Sequence, residues 1–165
     1  MSKSLARVKR HLVELGLNID ILHVTTPTHT ARQAADAVGC TLDQIVKSVI
    51  FRGVRSNEAI LFLTAGGSRV DPARASDLAG EALGKADATL IREQTGFAIG
   101  GVSPFGHLRA IRAFMDRDLC PFDVVWAAAG TPHHMLPIDP MLLAAKTGAI
   151  LADFREARSE PPARP

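Results

Sequence analysis

The run Ile45–Phe51 (IVKSVIF) is apolar on both of its faces, which constrains this 165-residue chain more than any other feature. Alternation along a strand puts Ile45, Lys47, Val49 and Phe51 on one face and Val46, Ser48 and Ile50 on the other. A strand apolar on both sides has to be covered on both sides. A second β-rich run, Ala59–Thr64, follows a polar, glycine-containing stretch, so the two read as a hairpin. Lys47 then stands among large hydrophobes, where a bare ammonium is costly unless it finds a partner or reaches water. Two readings follow: a lysine snorkelling from a sheet edge, or a cation aimed into a pocket to meet a phosphate or a developing negative charge.

The other unusual stretch is Gly100–Gly106, GGVSPFG. Glycine accepts positive φ and lets another group approach the main chain, while Pro104 fixes its own φ and biases Ser103 toward extended geometry. The run is either a tight connection or a loop that offers main-chain N–H and C=O groups to a ligand.

Around these features the chain reads as α+β. Leu5, Val8, Leu12 and Leu15 recur at helical spacing before Gly16, and Ile19–Val24 reads as a short strand. Thr30 with Gln33 forms a capping box for a helix that Gly39 stops. Asp71-Pro72, Asp87 and Asp139-Pro140 mark three further helix starts, and Ile111–Met115 and Val124–Ala128 read as strands. With no regular βαβ alternation, the expected architecture is a mixed, largely antiparallel sheet flanked by helices. One domain is expected over residues 1–154, with residues 155–165 a flexible tail that lacks apolar periodicity.

Composition narrows the classes. Hydrophobic residues make up 47% and charged residues 22%, as in a globular domain, and the net charge is only +2. No apolar run approaches the roughly 18 residues of a membrane span, and no secretory signal follows the basic N-terminus. Cys40 and Cys120 lie far apart with no CxxC pair, which argues against a disulfide framework or zinc site and fits a reducing cytoplasm. Lys3, Arg7, Lys9 and Arg10 read as a solvated helix face or as phosphate contacts, with Arg109 and Arg112 as further candidates.

Three segments stand together in the order and spacing of one family. QIVKSVIF (Gln44–Phe51), Leu61–Asp71 ending in RVD, and TGFAIGGVSPFG (Thr95–Gly106) resemble the YbaK/prolyl-tRNA-synthetase editing domains, a likeness running from about Thr30 to about Ala152. The resemblance implies a barrel-like α+β sheet and hydrolysis of amino acids wrongly attached to tRNA, chiefly tRNA(Pro), without metal or organic cofactor. The expected partners are the acceptor end of aminoacyl-tRNA and, further, prolyl-tRNA synthetase; no membrane is involved. Lys47 matches the family's required lysine, and Gly100, Gly101 and Pro104 match its active-site loop, so Lys47, Gly100 and Gly101 are expected to be catalytic. Ser103, Pro104 and His133 are expected on the substrate. His133 and His134 are adjacent, so on a strand at most one faces a pocket. Asp116 either orients Lys47 or ends a strand.

An aminoacyl ester is already activated, and the chain offers no convincing nucleophile–base pair. The resemblance implies a substrate-assisted reaction in which the ribose 2′-hydroxyl helps to place water. The function expected is trans-editing of tRNA(Pro) carrying a small residue such as Ala or Cys. The alternatives are a non-catalytic module that binds tRNA 3′ ends or a synthetase, and a hydrolase of some other small ester.

Overall fold

Each helix begins where a side-chain oxygen takes a free backbone N–H. In the computed structural model, which describes residues 2–157, Ser2 caps α1 (Lys3–Glu14). Thr30 and Gln33 form the expected box on α2 (Ala31–Val38). Asp71, Asp87 and Asp139 cap α3 (Pro72–Ala79), α4 (Ala88–Thr95) and α5 (Pro140–Thr147). Between the helices lie β1 (Leu22–His23), β2 (Ile45–Gly53), β3 (Ala59–Ala65), β4 (Leu83–Lys85), β5 (Arg112–Asp116), β6 (Val125–Ala128), β7 (His134–Ile138) and β8 (Ile150–Ala152).

The strands form one mixed sheet in the order β1-β7-β6-β2-β3-β5-β8, with β4 on β2. The β2–β3 hairpin is its centre, paired from Val46–Ala65 to Arg52–Ala59. The pairs β1–β7, β6–β7, β2–β3 and β2–β4 are antiparallel; β2–β6, β3–β5 and β5–β8 are parallel. Antiparallel pairing therefore leads by a single pair. Among the described residues no helix is long and apolar enough to cross a membrane.

Both faces of β2 are covered. Val46 and Ile50 join the main core with Leu61, Leu63, Phe105 and Leu136, whereas Val49 and Phe51 pack with Phe62, Phe114 and Phe154. Ile45 joins a third cluster with Ala34, Ala35 and Met135.

The first strand is shorter than expected: only Leu22 and His23 pair, while Ile19 and Ile21 pack on the core without joining the ladder. Three strands carry weak local signals: Gly84 interrupts β4, Pro137 interrupts β7, and β8 spans only Ile150–Ala152. At the C-terminus, Val70 pairs with Arg155 and Glu156 N–H donates to Arg69 O (2.8 Å), so two residues assigned to the tail pair with the body. The rest of that segment, 158–165, lies outside the described residues.

Candidate active site

The site begins at a gap in the sheet. Gly53 N–H donates to Glu58 O (2.9 Å), and Val54 N–H donates to Ala82 O (2.9 Å). Hydrogen-bonded pairs alternate along an antiparallel ladder, so Lys47, Val49 and Phe51 turn their main-chain groups toward β3. Val46, Ser48 and Arg52 turn theirs to the opposite edge. That edge is taken by β6 at Ile45–Val46 and by β4 at Phe51–Gly53. Neither strand reaches Ser48.

A cleft of about 310 Å³ opens along this uncovered edge. Its walls include Thr30 and Ala34 at the start of α2, Val46 to Val49 of β2, Ala128, Met135, and Gly100 and Val102 of the glycine loop. Lys47 and Gly100 thus meet at one cavity, 53 positions apart in sequence.

Lys47 is half-buried, and its Nζ donates to the Ser68 carbonyl. Burial, then the nearby positive charge of Arg69, lower its pKa from the ordinary 10.5; Asp116 and Asp43 act in the opposite sense. Ser68 is presented by a turn closed by Ser68 N–H to Ala65 O (2.9 Å), and Asp43 Oδ1 accepts from Gly67 N–H (2.9 Å). Asp116 is buried at the end of β5, where its carboxylate accepts from Ala65 N–H (3.1 Å) and Asp118 N–H (2.9 Å). Its hydrogen bonds end the strand, and only its charge reaches Lys47.

The lowered pKa sets a sign. The Lys47 ammonium is present below that pKa and is lost as pH rises through it. Replacing Arg69 with glutamine removes a like charge, so the titration is expected to move to higher pH. NMR titration of the Lys47 side chain checks this; an unchanged or lower midpoint would contradict the electrostatic account.

Gly100 sits at φ +87°, the third residue of a turn closed by Gly101 N–H to Ala98 O (3.0 Å). That position calls for a glycine. Among the described residues neither the Gly100 nor the Val102 N–H has a backbone acceptor. Gly101, expected to be catalytic, does not line the cleft; a Cβ there would stand 3.4 Å from Gly130 O.

The remaining expected residues fall elsewhere. Ser103 is fully buried; its Oγ accepts from Phe105 N–H (3.2 Å), and its carbonyl accepts from His107 Nε2 (2.7 Å). No nucleophile–base pair forms there, because the histidine meets the carbonyl and not the hydroxyl. Pro104 lines a separate depression with His11, His107, Arg109 and Lys146. His133 donates from Nδ1 to Val24 O (3.0 Å) and stacks on His23, outside the cleft. His134 meets Thr131 Oγ1 (2.6 Å), and burial and neighbouring positive groups lower its pKa. Among the described residues no three His, Cys, Asp or Glu side chains are grouped to hold a metal ion.

Arg7 carries a role that neither reading of the basic helix included. It donates to Gly106 O (Nε, 3.0 Å) and Gly96 O (Nη2, 2.8 Å), and His11 Nδ1 accepts from Gly106 N–H (2.7 Å). The first helix is a clamp on the glycine loop, with Arg7 and His11 both bonded at Gly106.

Thr30 joins helix start and cleft wall. Replacing it with alanine removes one half of the capping box, at an expected cost of about 1 kcal/mol. The thermal midpoint should fall by roughly 2–4 °C; an unchanged midpoint would show that the box contributes nothing here.

Residues 25–145 match the aminoacyl-tRNA editing domain family, a span that covers the hairpin, the glycine loop and the cleft. The chain belongs to this family. Within it, the YwhH protein of Bacillus subtilis (strain 168), which has no assigned function, is 31% identical over 137 residues, 83% of this chain and 87% of its own. A crystal structure of a candidate trans-editing enzyme for prolyl tRNA synthetase superposes with a TM-score of 0.89 at 42% identity, covering 95% of this chain and 99% of that one. The hypothetical protein APE2540 matches with a TM-score of 0.84 at 29% identity, over 91% of this chain and 99% of its own. The mixed sheet and its flanking helices are therefore those of the YbaK-like editing fold.

Proposed function

We propose that this editing domain is a trans-acting hydrolase that deacylates mischarged aminoacyl-tRNA, with tRNA(Pro) carrying a small residue such as Ala or Cys as its substrate. The observation that carries the reading is the meeting of Lys47 and Gly100 at one cleft beside main-chain N–H groups with no backbone acceptor. Water attack on the ester develops negative charge on the carbonyl oxygen, which preorganised donors stabilise strongly in a site that excludes water. The glycine loop supplies such donors, and Lys47 supplies positive charge for that oxygen or for the terminal phosphate. The ribose 2′-hydroxyl of the substrate helps to place the attacking water. The apolar part of the wall, with Ala34, Val102, Ala128 and Met135, suits a small side chain.

Specificity limits make such an activity necessary. A synthetase pocket that accepts proline rejects a residue one methylene smaller by only roughly 10–200-fold. A second site that hydrolyses the smaller ester supplies the remainder.

The test is a panel of tRNA(Pro) charged separately with Ala, Cys, Ser, 2-aminobutyrate and Pro. The proposal expects rapid loss of at least one small mischarged residue and survival of Pro. Failure to deacylate any of them would overturn it, and tight binding without turnover would mark a non-catalytic tRNA-end module instead.

A further inference from the structure

We infer that the uncovered edge of β2 at Ser48 is the subsite for the aminoacyl group, which pairs with Ser48 as a one-residue strand. This rests on the reading of the substrate as an aminoacyl ester. Two independent features of Ser48 point to a ligand. Its main-chain N–H and C=O face the gap left where β6 stops at Val46–Ala127 and β4 starts at Phe51–Lys85. Its side-chain Oγ is buried without a hydrogen-bond partner, and the residue lines the cleft.

Buried polar groups left unpaired are costly, so a strand that turns both edge groups of Ser48 to one cavity, with an unpaired buried hydroxyl beside them, is prepared for a polar partner. An α-aminoacyl ester has the matching pattern. Its α-ammonium is a donor, its carbonyl is an acceptor, and the two are separated as in any peptide residue. Residues in a hydrogen-bonded antiparallel pair exchange both bonds. Ser48 C=O accepts from the ammonium and Ser48 N–H donates to the ester carbonyl; Ser48 Oγ, buried beside the cleft, rotates toward the edge to accept a second ammonium hydrogen. This is strand addition reduced to a single residue. It fixes the carbonyl, and it sends the amino-acid side chain out of the edge plane toward one wall of the cleft. An α-amino group becomes a requirement of recognition, and simple acyl esters lose two contacts.

The experiment uses two non-hydrolysable adenosines, one with an amide-linked 3′-alanyl group and one with a 3′-propionyl group that lacks the amine. The wild-type protein is expected to bind the alanyl compound at least tenfold more tightly, and its Ser48 amide resonance should shift on binding. Ser48→Ala should weaken the alanyl compound about three- to tenfold and leave the propionyl compound unchanged. Equal affinities in the wild type, or equal weakening of both compounds by Ser48→Ala, would overturn the inference, as would failure of both to bind. Deacylation of mischarged tRNA is measured beside these arms. Amine discrimination without turnover would keep the subsite and remove the hydrolase; turnover without discrimination would do the reverse.

Discussion

Replacing Lys47 with alanine is expected to lower kcat/KM for deacylation by roughly 10²–10³-fold, the loss that follows removal of one preorganised donor from a developing oxyanion. The fold should survive, because Lys47 is only half-buried and its side chain donates to the Ser68 carbonyl beside the cleft, while its main-chain pairing with β3 is kept in alanine. A near-native thermal midpoint with collapsed activity is the expected pair of results. The division between kcat and KM identifies the contact. A fall in kcat places the ammonium on the reacting oxygen, and a rise in KM places it on the terminal phosphate. Lys47→Ala with unaltered kinetics would remove the residue from the machinery altogether.

Gly66→Ala is expected to destabilise the protein by about 2–3 kcal/mol, as overpacking a well-packed site does. The thermal midpoint should fall by roughly 4–12 °C. A Cβ at Gly66 would stand 2.1 Å from the Leu42 carbonyl oxygen and 3.2 Å from Ile45 Cβ, so backbone has to move. Alanine ordinarily gains about 0.4–1 kcal/mol over glycine by restricting the unfolded chain, and the clash must exceed that. Gly84→Ala is the control: its Cβ would meet only Arg52 Nη2 at 3.5 Å and Val54 Cγ2 at 3.6 Å. Gly66 also opens the turn that carries the Ser68 carbonyl, so its variant should disturb the Lys47 titration while Gly84→Ala leaves it alone. Equal stability of the two variants would refute the close-approach argument.

Much of this was legible because the signals are local. Alternation places β2 and β3, and Asp or Thr before an apolar stretch places four of the helix starts. Lys47 is conspicuous because a charge breaks an apolar run, and Gly100 because glycines and a proline cluster. The edge of β2 is different in kind. Ser48 is unremarkable in sequence, and its importance lies in where β6 and β4 stop, which is set by register among strands from three parts of the chain. The resemblance put Ser103, Pro104 and His133 on the substrate, yet a loop that turns at Gly100 carries Ser103 into the core and Pro104 to another surface, and His133 is held by Val24 O and His23 outside the cleft. Strand β7 was hidden by Pro137, whose partner Trp126 holds it in the ladder all the same.

The clamp between α1 and the glycine loop bears on the order in which the protein assembles. Arg7 lies 99 positions before its partner Gly106 and 89 before Gly96. Contacts of such separation are slow to form, because chain entropy is lost before any interaction compensates for it. During synthesis the first helix leaves the ribosome long before the loop exists, and its apolar stripe of Leu5, Val8 and Leu12 has no complete core to join. The glycine loop is accordingly expected to gain its final shape late, when the oldest part of the chain docks on one of the younger parts. Tags or truncations at the N-terminus therefore reach the candidate catalytic backbone through folding, even though no residue of α1 lines the cleft.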